Sequence, residues 1–410
     1  MTKISVLSEY FKGVAVKYAS RVETDPSSSN QHELNGVTPL RAILGAAKRE
    51  FPRVRFISFG EDDSVFVREG SATWYDAREN HRSRTEYRLY YSGNETMSSV
   101  RAGDLLVVAL LENEELMIAS APSGSEAERE LAWLFAPSGS EIGERFTVRT
   151  PESMRNIALN FVVRSILALL GIDAFEKLGV CYLEEMSQRF GDAFPGTAVF
   201  SAYASETLAI PTDPDEALPL LMAREEALFR LFEKAEAERR LAKGFDSVDE
   251  FEAYAKSFMN RRYSRAGHAF EHHLARVFRR AGLVFSERPV TELRKRPDFV
   301  FPSIEAYRTL PNADVEKFVT VLGAKTSCKD RWRQVVNEAD RVRTKHLATL
   351  QPAISLNQID EMRDERVVLV VPEELRPTYP PERRSGILNL AEFISLVEGR
   401  RRASGIPGGG

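Results

Sequence analysis

The sequence is poor in the residues that build disulfide-linked or cysteine-ligated folds. It has 2 cysteines, Cys181 and Cys328, in 410 residues, too few for a disulfide framework or a cysteine-rich zinc site. It also lacks any run near the roughly 18 apolar residues of a membrane span. The residues after Met1 show no secretory signal. These absences predict a cytoplasmic protein.

Neither charge is in strong excess, because the formal net charge is −4 at pH 7. This value argues mildly against a protein that coats nucleic acid nonspecifically. A sequence-specific enzyme needs only a local basic surface, and basic stretches occur at residues 81–88, 261–265 and 329–333. With 43% hydrophobic residues, the chain is long enough for two or three domains, each with its own core.

Three residues in the C-terminal half have the chemistry of a metal-dependent phosphodiesterase. Asp298 begins a predicted strand at residues 297–301, Lys325 ends a predicted buried strand at 315–325, and Glu338 lies on the predicted helix that follows. Carboxylates are ligands for Mg²⁺, and a lysine can stabilise charge on the attacked phosphate or orient the attacking water. A lysine at the end of a buried strand needs a paired charge, which Asp298 can supply.

The first 150 residues are predicted to be mostly β. Short apolar runs alternate with polar, turn-rich segments, which is typical of a barrel or an open pseudobarrel. A helix is predicted from Pro39 to Arg49, since proline favours a first helical turn. In this half, Arg82, Arg84, Glu86 and Arg88 alternate at strand spacing. They form either a solvated strand face or a base-reading surface, because arginine pairs with guanine and glutamate accepts from cytosine.

Three C-terminal runs resemble the catalytic core of EcoRII-type restriction endonucleases. They are KRPDFVFPSIEAY at 295–307, GAKTSCKDRWRQ at 323–334 and NEADR at 337–341. The resemblance covers residues 215–380 and implies a PD-(D/E)XK nuclease fold, a mixed sheet flanked by helices. Gly323 stands where the usual motif acid would lie. The resemblance implies that this acid has moved to Glu338, so that Asp298 and Glu338 would hold the metal, and it places Tyr307 among the catalytic candidates.

The same resemblance assigns DNA contacts to the segment after Lys325. Lys329, Asp330 and Arg331 would read the C:G pairs of the recognition site, with Arg333 and Gln334 as further phosphate or base contacts. Trp332 is expected to pack in the core.

Two long helices are predicted ahead of the catalytic strands. On the first, at residues 216–245, the resemblance makes Arg224, Glu225 and Phe229 candidates for base-flipping or dimer contacts, with helix packing as the alternative. On the second, at 247–280, a Gly-x-x-Phe-Glu pattern resembles the first core helix of PD-(D/E)XK nucleases, which implies that Glu271 supports the metal site. His268, His272 and His273 lack the companion residues of a zinc site, so a solvated helix face is expected there.

The N-terminal half resembles the effector DNA-binding pseudobarrel of the same enzymes. The resemblance implies that the strand with Arg82, Arg84, Glu86 and Arg88 enters the major groove. A second loop, at residues 29–36, would contribute Asn30, Gln31 and Asn35. Asn30 and Asn35 depart from the family's residue types.

The predicted organisation is an effector domain at residues 1–175, a linker at 176–215, a catalytic domain at 216–400 and a disordered tail at 401–410. The resemblance implies a type II endonuclease that cuts a short palindrome, CCWGG, with Mg²⁺. It further implies a homodimer, a second DNA copy bound as allosteric effector, and a cognate cytosine methyltransferase. The alternatives are a DNA-binding regulator that does not cleave and an interaction module that uses the pseudobarrel alone.

Overall fold

The computed structural model divides the chain into two compact units, Met1–Ala174 and Phe175–Gly410. It describes residues 6–24, 32–34, 37–60, 64–79, 81, 84–137, 141–155, 157, 161–172, 174, 180–191, 193–328 and 331–405. Within these ranges, no helix combines the length and apolar character needed to cross a membrane.

The first unit is built on an eight-stranded sheet. Its strands are β1 Phe11–Tyr18, β2 Glu33–Leu34, β3 Arg49–Phe59, β4 Val65–Asp76, β5 Tyr87–Tyr91, β6 Leu105–Leu111, β7 Leu116–Ala121 and β8 Thr147–Arg149. The strand order is β2-β5-β4-β3-β7-β6-β1-β8. Neighbours are antiparallel except for the parallel pair β3 and β7. The mostly-β prediction is confirmed, whereas closure into a pseudobarrel remains a prediction.

The helices of the first unit are short. They are α1 Arg21–Thr24, α2 Arg41–Leu44, α3 Glu95–Ser98, α4 Glu126–Phe135, α5 Pro151–Met154 and α6 Phe161–Leu169. The predicted helix from Pro39 to Arg49 is wrong beyond its first half: a 3-10 turn at Thr38–Leu40 leads into α2, which ends at Leu44, directly before Gly45. Gly45 has φ 82°, a conformation that glycine adopts readily and that stops the helix. Arg49 then begins β3.

The predicted strand through Arg82, Arg84, Glu86 and Arg88 is also shorter than expected. Strand β5 begins only at Tyr87, paired with Asp76. The Asp76 carboxylate accepts a hydrogen bond from the Glu86 backbone N–H at 2.7 Å, so this side chain caps the end of the β4–β5 pairing. Arg88 lies in β5, whereas Arg84 and Glu86 precede it and Arg82 lies outside the described residues.

The second unit surrounds a five-stranded mixed sheet. Its strands are β9 Ser286–Glu287, β10 Phe299–Phe301, β11 Thr320–Lys325, β12 Lys345–Thr349 and β13 Val367–Val370, in the order β13-β12-β11-β10-β9. Pairs β9–β10 and β10–β11 are antiparallel, and β11–β12 and β12–β13 are parallel. This arrangement confirms the predicted mixed sheet.

Nine helices accompany this sheet in the described part of the second unit. They are α7 Val180–Phe190, α8 Thr197–Glu206, α9 Pro214–Lys243, α10 Val248–Arg280, α11 Ile304–Thr309, α12 Asn312–Phe318, α13 Trp332–Val336, α14 Leu356–Asp364 and α15 Leu390–Ser404. The expected strand at 315–325 is wrong in its first half, which belongs to α12. An apolar run alone does not separate a buried helix from a buried strand.

Helices α7, α8 and α9 share one apolar cluster, whose members include Met186, Tyr203, Leu228 and Phe232. The residues predicted as a linker, 176–215, therefore include α7 and α8, which pack on α9. A hinge in this segment remains a prediction.

The start of α9 is fixed by a buried carboxylate. Asp215 accepts hydrogen bonds from the backbone N–H groups of Glu373, Leu390 and Ala391 at 3.0, 2.9 and 3.0 Å. Leu390 and Ala391 form the first turn of α15, where free N–H groups favour a negative charge. Asp215 therefore joins the beginnings of two helices that are far apart in sequence.

Candidate active site

Asp298 and Lys325 meet because their strands run antiparallel. Phe299 pairs with Leu322, which brings the residue before β10 beside the last residues of β11. The Asp298 carboxylate oxygen Oδ2 accepts a hydrogen bond from the Ala324 backbone N–H at 2.7 Å and from Lys325 Nζ at 3.0 Å. Asp298 is buried and Lys325 is partly exposed. The structure thus brings together the predicted ion pair at the end of a buried strand.

Gly323 explains why no acid precedes Lys325 by two residues. A Cβ atom at position 323 would lie 2.5 Å from Val335 Cγ2 and 3.2 Å from Val335 Cγ1. Val335 is buried on α13, so the helix leaves no room for a side chain at 323. A carboxylate needed here must come from another segment.

Glu338 supplies that carboxylate from just beyond α13, two residues after the helix ends at Val336. The prediction that it lies on the helix itself is wrong. The Glu338 backbone N–H still donates to the Val335 carbonyl at 3.1 Å, and this bond continues the helical turn. Glu338 Oε2 is buried without a hydrogen-bond partner among the described atoms.

The carboxylates interact electrostatically around Lys325. Burial raises the pKa of Glu338 to about 7, repulsion by Asp298 adds to this shift, and attraction to Lys325 opposes it. Burial and then repulsion by Asp298 also raise the pKa of Glu271, a residue of α10, while Arg288 and Lys325 oppose that change. We call Asp298, Lys325, Glu338 and Glu271 the carboxylate–lysine cluster.

Two features of the cluster suit a divalent cation. Glu338 Oε2 has no hydrogen-bond partner among the described atoms, and the Asp298 carboxylate repels those of Glu338 and Glu271, a repulsion that a cation would relieve. The described residues hold no group of three or more His, Cys, Asp or Glu side chains close enough to bind a metal ion by themselves. Mg²⁺ commonly takes only one or two carboxylates from a protein, with water and phosphate oxygens completing its shell. Asp298 and Glu338 match that donor set, and the buried Oε2 atom of Glu338 would gain a partner.

Tyr307 lies in a buried apolar cluster with Val300 and Val321. Its hydroxyl contacts the Glu292 carboxylate at 2.7 and 2.8 Å and accepts a hydrogen bond from the Arg341 backbone N–H at 3.2 Å. Burial and the bond to Glu292 raise the pKa of Tyr307. Through these contacts, Tyr307 connects the loop before Asp298 to the segment after Glu338.

Two residues of this site were not predicted from the sequence. Glu292 pairs with Tyr307, and Arg288 approaches Glu271, with Nη1 at 3.9 Å from Oε2. Both lie in the loop between β9 and β10, where charged residues are common. Only their position just upstream of Asp298 could have suggested them.

The predicted recognition residues after Lys325 are partly described. Lys329 and Asp330 lie outside the described residues. Arg331, Arg333 and Gln334 are exposed, and Arg333 pairs with Glu361 at 2.7 Å. Trp332 is buried, in agreement with the expected packing.

The candidates on α9 take part in helix packing. Phe229 is 1% exposed and Glu225 is 0% exposed, and the Arg265 guanidinium lies over the Phe229 ring at 3.9 Å. Glu225 Oε2 lies 2.7 Å from His273 Nε2, and the Arg224 guanidinium lies over Tyr182. Contact of Glu225 or Phe229 with a flipped base would require these side chains to be uncovered, and this contact remains a prediction.

The three histidines of α10 differ in environment. His273 is buried beside Glu225, which corrects the expectation of a solvated face at this position. His268 Nδ1 lies 2.9 Å from the Ser264 carbonyl oxygen, and burial lowers the pKa of His272.

In the first unit, Arg88 belongs to a chain of ion pairs. It contacts Glu33 at 3.1 Å and Glu86 at 2.8 Å, and Glu86 also pairs with Arg78. Arg84 is exposed. The remaining candidates, Asn30, Gln31, Asn35 and Arg82, lie outside the described residues. Readout by Arg88 or Glu86 would therefore have to compete with these ion pairs.

The family described as EcoRII C terminal matches residues 229–394. The matched segment includes the whole carboxylate–lysine cluster and the mixed sheet. This part of the chain is therefore similar to the EcoRII C-terminal family. A curated relative, the type II restriction enzyme EcoRII of Escherichia coli, is 43% identical over 208 residues, which are 50% of this chain and 51% of the relative. The chain thus spans about half the length of the curated relative it matches.

Two solved structures are also similar to part of this chain. One is described as metal-depleted Ecl18kI in complex with uncleaved, modified DNA; it is 20% identical, covers 57% of this chain and 88% of its own, and has a TM-score of 0.45. The other is described as a complex of the restriction endonuclease PspGI with substrate DNA; it is 17% identical, covers 53% of this chain and 95% of its own, and has a TM-score of 0.43.

Proposed function

We propose that the protein is a site-specific DNA endonuclease that hydrolyses phosphodiester bonds with a divalent metal ion, Mg²⁺. The observation that carries this proposal is the 3.0 Å contact between Lys325 Nζ and Asp298, with the unpaired oxygen of Glu338 in the same cluster. The 43% identity to a type II restriction enzyme supports it.

Each residue of the cluster has a distinct role in this proposal. Asp298 and Glu338 would hold the metal ion. When bound, that ion lowers the pKa of a water molecule and offsets charge on the attacked phosphate. Lys325, oriented by Asp298, places a positive charge where negative charge develops on the phosphate. Glu271, which is partly buried on α10, supports the site through its electrostatic interaction with Asp298.

The direct test is a digest of unmethylated DNA in Mg²⁺ by the wild type and by Lys325→Ala. We expect loss of cutting with retained DNA binding, because Lys325 acts on the reacting phosphate. Lys317→Ala is the matched control, since Lys317 is an exposed lysine of the same unit that pairs only loosely with Asp314, at 3.7 Å. Equal DNA binding without cutting by the wild type would support a non-cleaving regulator.

We further propose CCWGG as the recognition site, read by Arg331 with Lys329 and Asp330, and assisted by Arg333 and Gln334. A two-fold symmetric site matches a homodimer in which each subunit cuts one strand. A cytosine methyltransferase would then protect the host's own sites, and we propose that both proteins act in the bacterial cytoplasm. Sequencing the ends of digested plasmids tests this specificity, because ends at another palindrome would refute it.

The first unit is proposed to bind a second copy of the site and to regulate the catalytic half. The exposed side chain of Arg84 supports this role. Allosteric regulation requires that effector DNA favour one of two states. We therefore expect the wild type to cut a two-site plasmid faster than a one-site plasmid. Arg84→Ala should remove this difference and leave basal cutting intact, and an unchanged two-site preference would refute the effector role.

A further inference from the structure

The loop between β9 and β10 presents an unusually exposed leucine. Leu293 is 86% exposed, and it has a left-handed backbone with φ 53°, followed by Arg294 with φ 61°. Leucine gains nothing from this conformation, which mainly glycine, asparagine and aspartate adopt. Backbone strain of this kind persists only where the surrounding structure imposes it, and it concentrates at functional sites.

The surrounding contacts do impose it. The Thr291 N–H donates to the Lys295 carbonyl at 2.9 Å, and the Lys295 N–H donates to the Glu292 carbonyl at 3.0 Å. These two bonds close the turn that carries Leu293. The Glu292 side chain is held in turn by the Tyr307 hydroxyl. Leu293 therefore lies at the tip of an anchored turn.

The turn is also tied to the catalytic cluster. Lys295 Nζ pairs with Asp340 Oδ1 at 2.6 Å, and Asp340 follows Glu338 by two residues. Leu293 precedes Asp298 by five residues in the sequence. The exposed leucine is thus linked to both proposed metal-holding carboxylates through short chain segments and one ion pair.

The charges around the tip fit a polyanion. Arg294 and Arg296 are exposed on either side of Lys295, and the structure records no acidic partner for either arginine among the described residues. An exposed leucine followed by these two arginines does not suit an apolar protein surface, because an apolar partner would leave both arginines uncompensated. Duplex DNA offers phosphates for the arginines and an apolar stacked interior for the leucine.

We propose that Leu293 is inserted between base pairs of bound duplex DNA while Arg294 and Arg296 contact the adjacent phosphates. This inference rests on the proposed nuclease function and makes Leu293 a positioning residue for it. Apolar side chains inserted into a base step partly unstack and kink the duplex. The anchored turn would transmit the position of that step to Asp298 and Glu338, and so place the scissile phosphate.

The test uses duplex DNA with the CCWGG site and 2-aminopurine placed in turn at each position in and beside the site. Fluorescence is measured on binding of Lys325→Ala protein, which is expected to bind without cutting, with and without Leu293→Ala. Unstacking of a base raises 2-aminopurine fluorescence. We expect a rise at one step with Lys325→Ala, and loss of that rise with the added Leu293→Ala change.

Cleavage by otherwise wild-type protein gives a second readout. Leu293→Ala should lower the single-turnover cleavage rate at saturating protein by at least about tenfold, because a misplaced reacting group costs up to about 100-fold. Leu241→Ala is the matched control, since Leu241 is an exposed leucine (60%) on α9 in the same unit, and it should leave both readouts unchanged.

The outcomes separate this inference from the nuclease proposal. If the wild type cuts DNA and Leu293→Ala neither lowers the rate nor removes a fluorescence rise, insertion by Leu293 is refuted and the nuclease stands. Insertion is also refuted if Leu293→Ala removes the fluorescence rise at none of the labelled positions. If the wild type binds but does not cut, the nuclease proposal fails, and the fluorescence arm alone decides on insertion.

Discussion

Replacement of Gly323 by alanine tests how the catalytic strand and α13 are fitted together. The new Cβ atom would lie 2.5 Å from Val335 Cγ2 and 3.4 Å from Val335 Cβ. Both residues are buried, so strand and helix must separate or Val335 must change its rotamer. Overpacking of this kind costs about 1–3 kcal/mol. Because Glu338 follows α13 by two residues, the shift would also displace the carboxylate, and cleavage should fall by about tenfold or more.

Removal of the clashing methyl groups should compensate. Val335→Ala alone deletes two buried methyl groups and costs about 2 kcal/mol. The double variant should lose less free energy of unfolding than the sum of the two single changes, by about 1–2 kcal/mol. Only direct contact between the two positions produces such coupling.

The assay is urea unfolding of the second unit. Trp332 is the only tryptophan after residue 174, so a Trp74→Phe/Trp133→Phe background reports this unit by fluorescence. Gly399→Ala is the control, because its Cβ would meet nothing within 4 Å on α15, and it should stabilise by about 0.5–1 kcal/mol. Additive effects of Gly323→Ala and Val335→Ala, or unchanged stability and activity of Gly323→Ala, would refute the packing argument.

Two further changes test buried carboxylates of the second unit. Burial raises the pKa of Glu374 to about 7. The loss of folding stability that this burial causes is therefore absent below the ordinary pKa near 4.5 and grows as the pH rises toward 7. Glu374→Gln should therefore gain stability over the wild type at pH 8 but not at pH 4, as measured by urea unfolding at both pH values; an equal effect at both would contradict this. Asp215→Ala leaves three backbone N–H groups without their acceptor and should lower the free energy of unfolding by about 3 kcal/mol or more. The control is Asp213→Ala, which removes only the neighbouring helix cap and should lower it by about 1 kcal/mol. Similar losses in both variants would contradict the anchoring role of Asp215.

Residue patterns predicted the structure correctly where local chemistry determines it. An aspartate at the start of one strand and a lysine at the end of another were expected to pair, and the contact is present at 3.0 Å. The two long helices before them were also expected, because their caps and apolar spacing are local signals. Ser247 caps α10 by accepting from the Glu250 N–H, and Gly244 ends α9 with φ 78°.

Features that depend on distant partners were not predictable in this way. Nothing near Gly323 in the sequence shows that Val335 fills the space above it. Likewise, Arg88 pairs with Glu33 across strands, and the burial of Glu225 depends on α8 and α10 closing around α9. The break between α12 and β11 was missed because a continuous apolar run fits either structure. The position of Glu338 came from the family resemblance, since the spacing alone does not identify it.

The most direct test of the nuclease assignment is single-turnover cleavage of a plasmid with a CCWGG site, in Mg²⁺, by the wild type and Glu338→Gln, with sequencing of the ends. Glutamine keeps the size of the side chain and removes the charge that would hold the metal ion. We predict cutting at a single type of site by the wild type, and a loss of at least about 100-fold in Glu338→Gln with DNA binding retained. Equal cutting by both proteins would contradict the assignment of Glu338 and, with it, the proposed metal site.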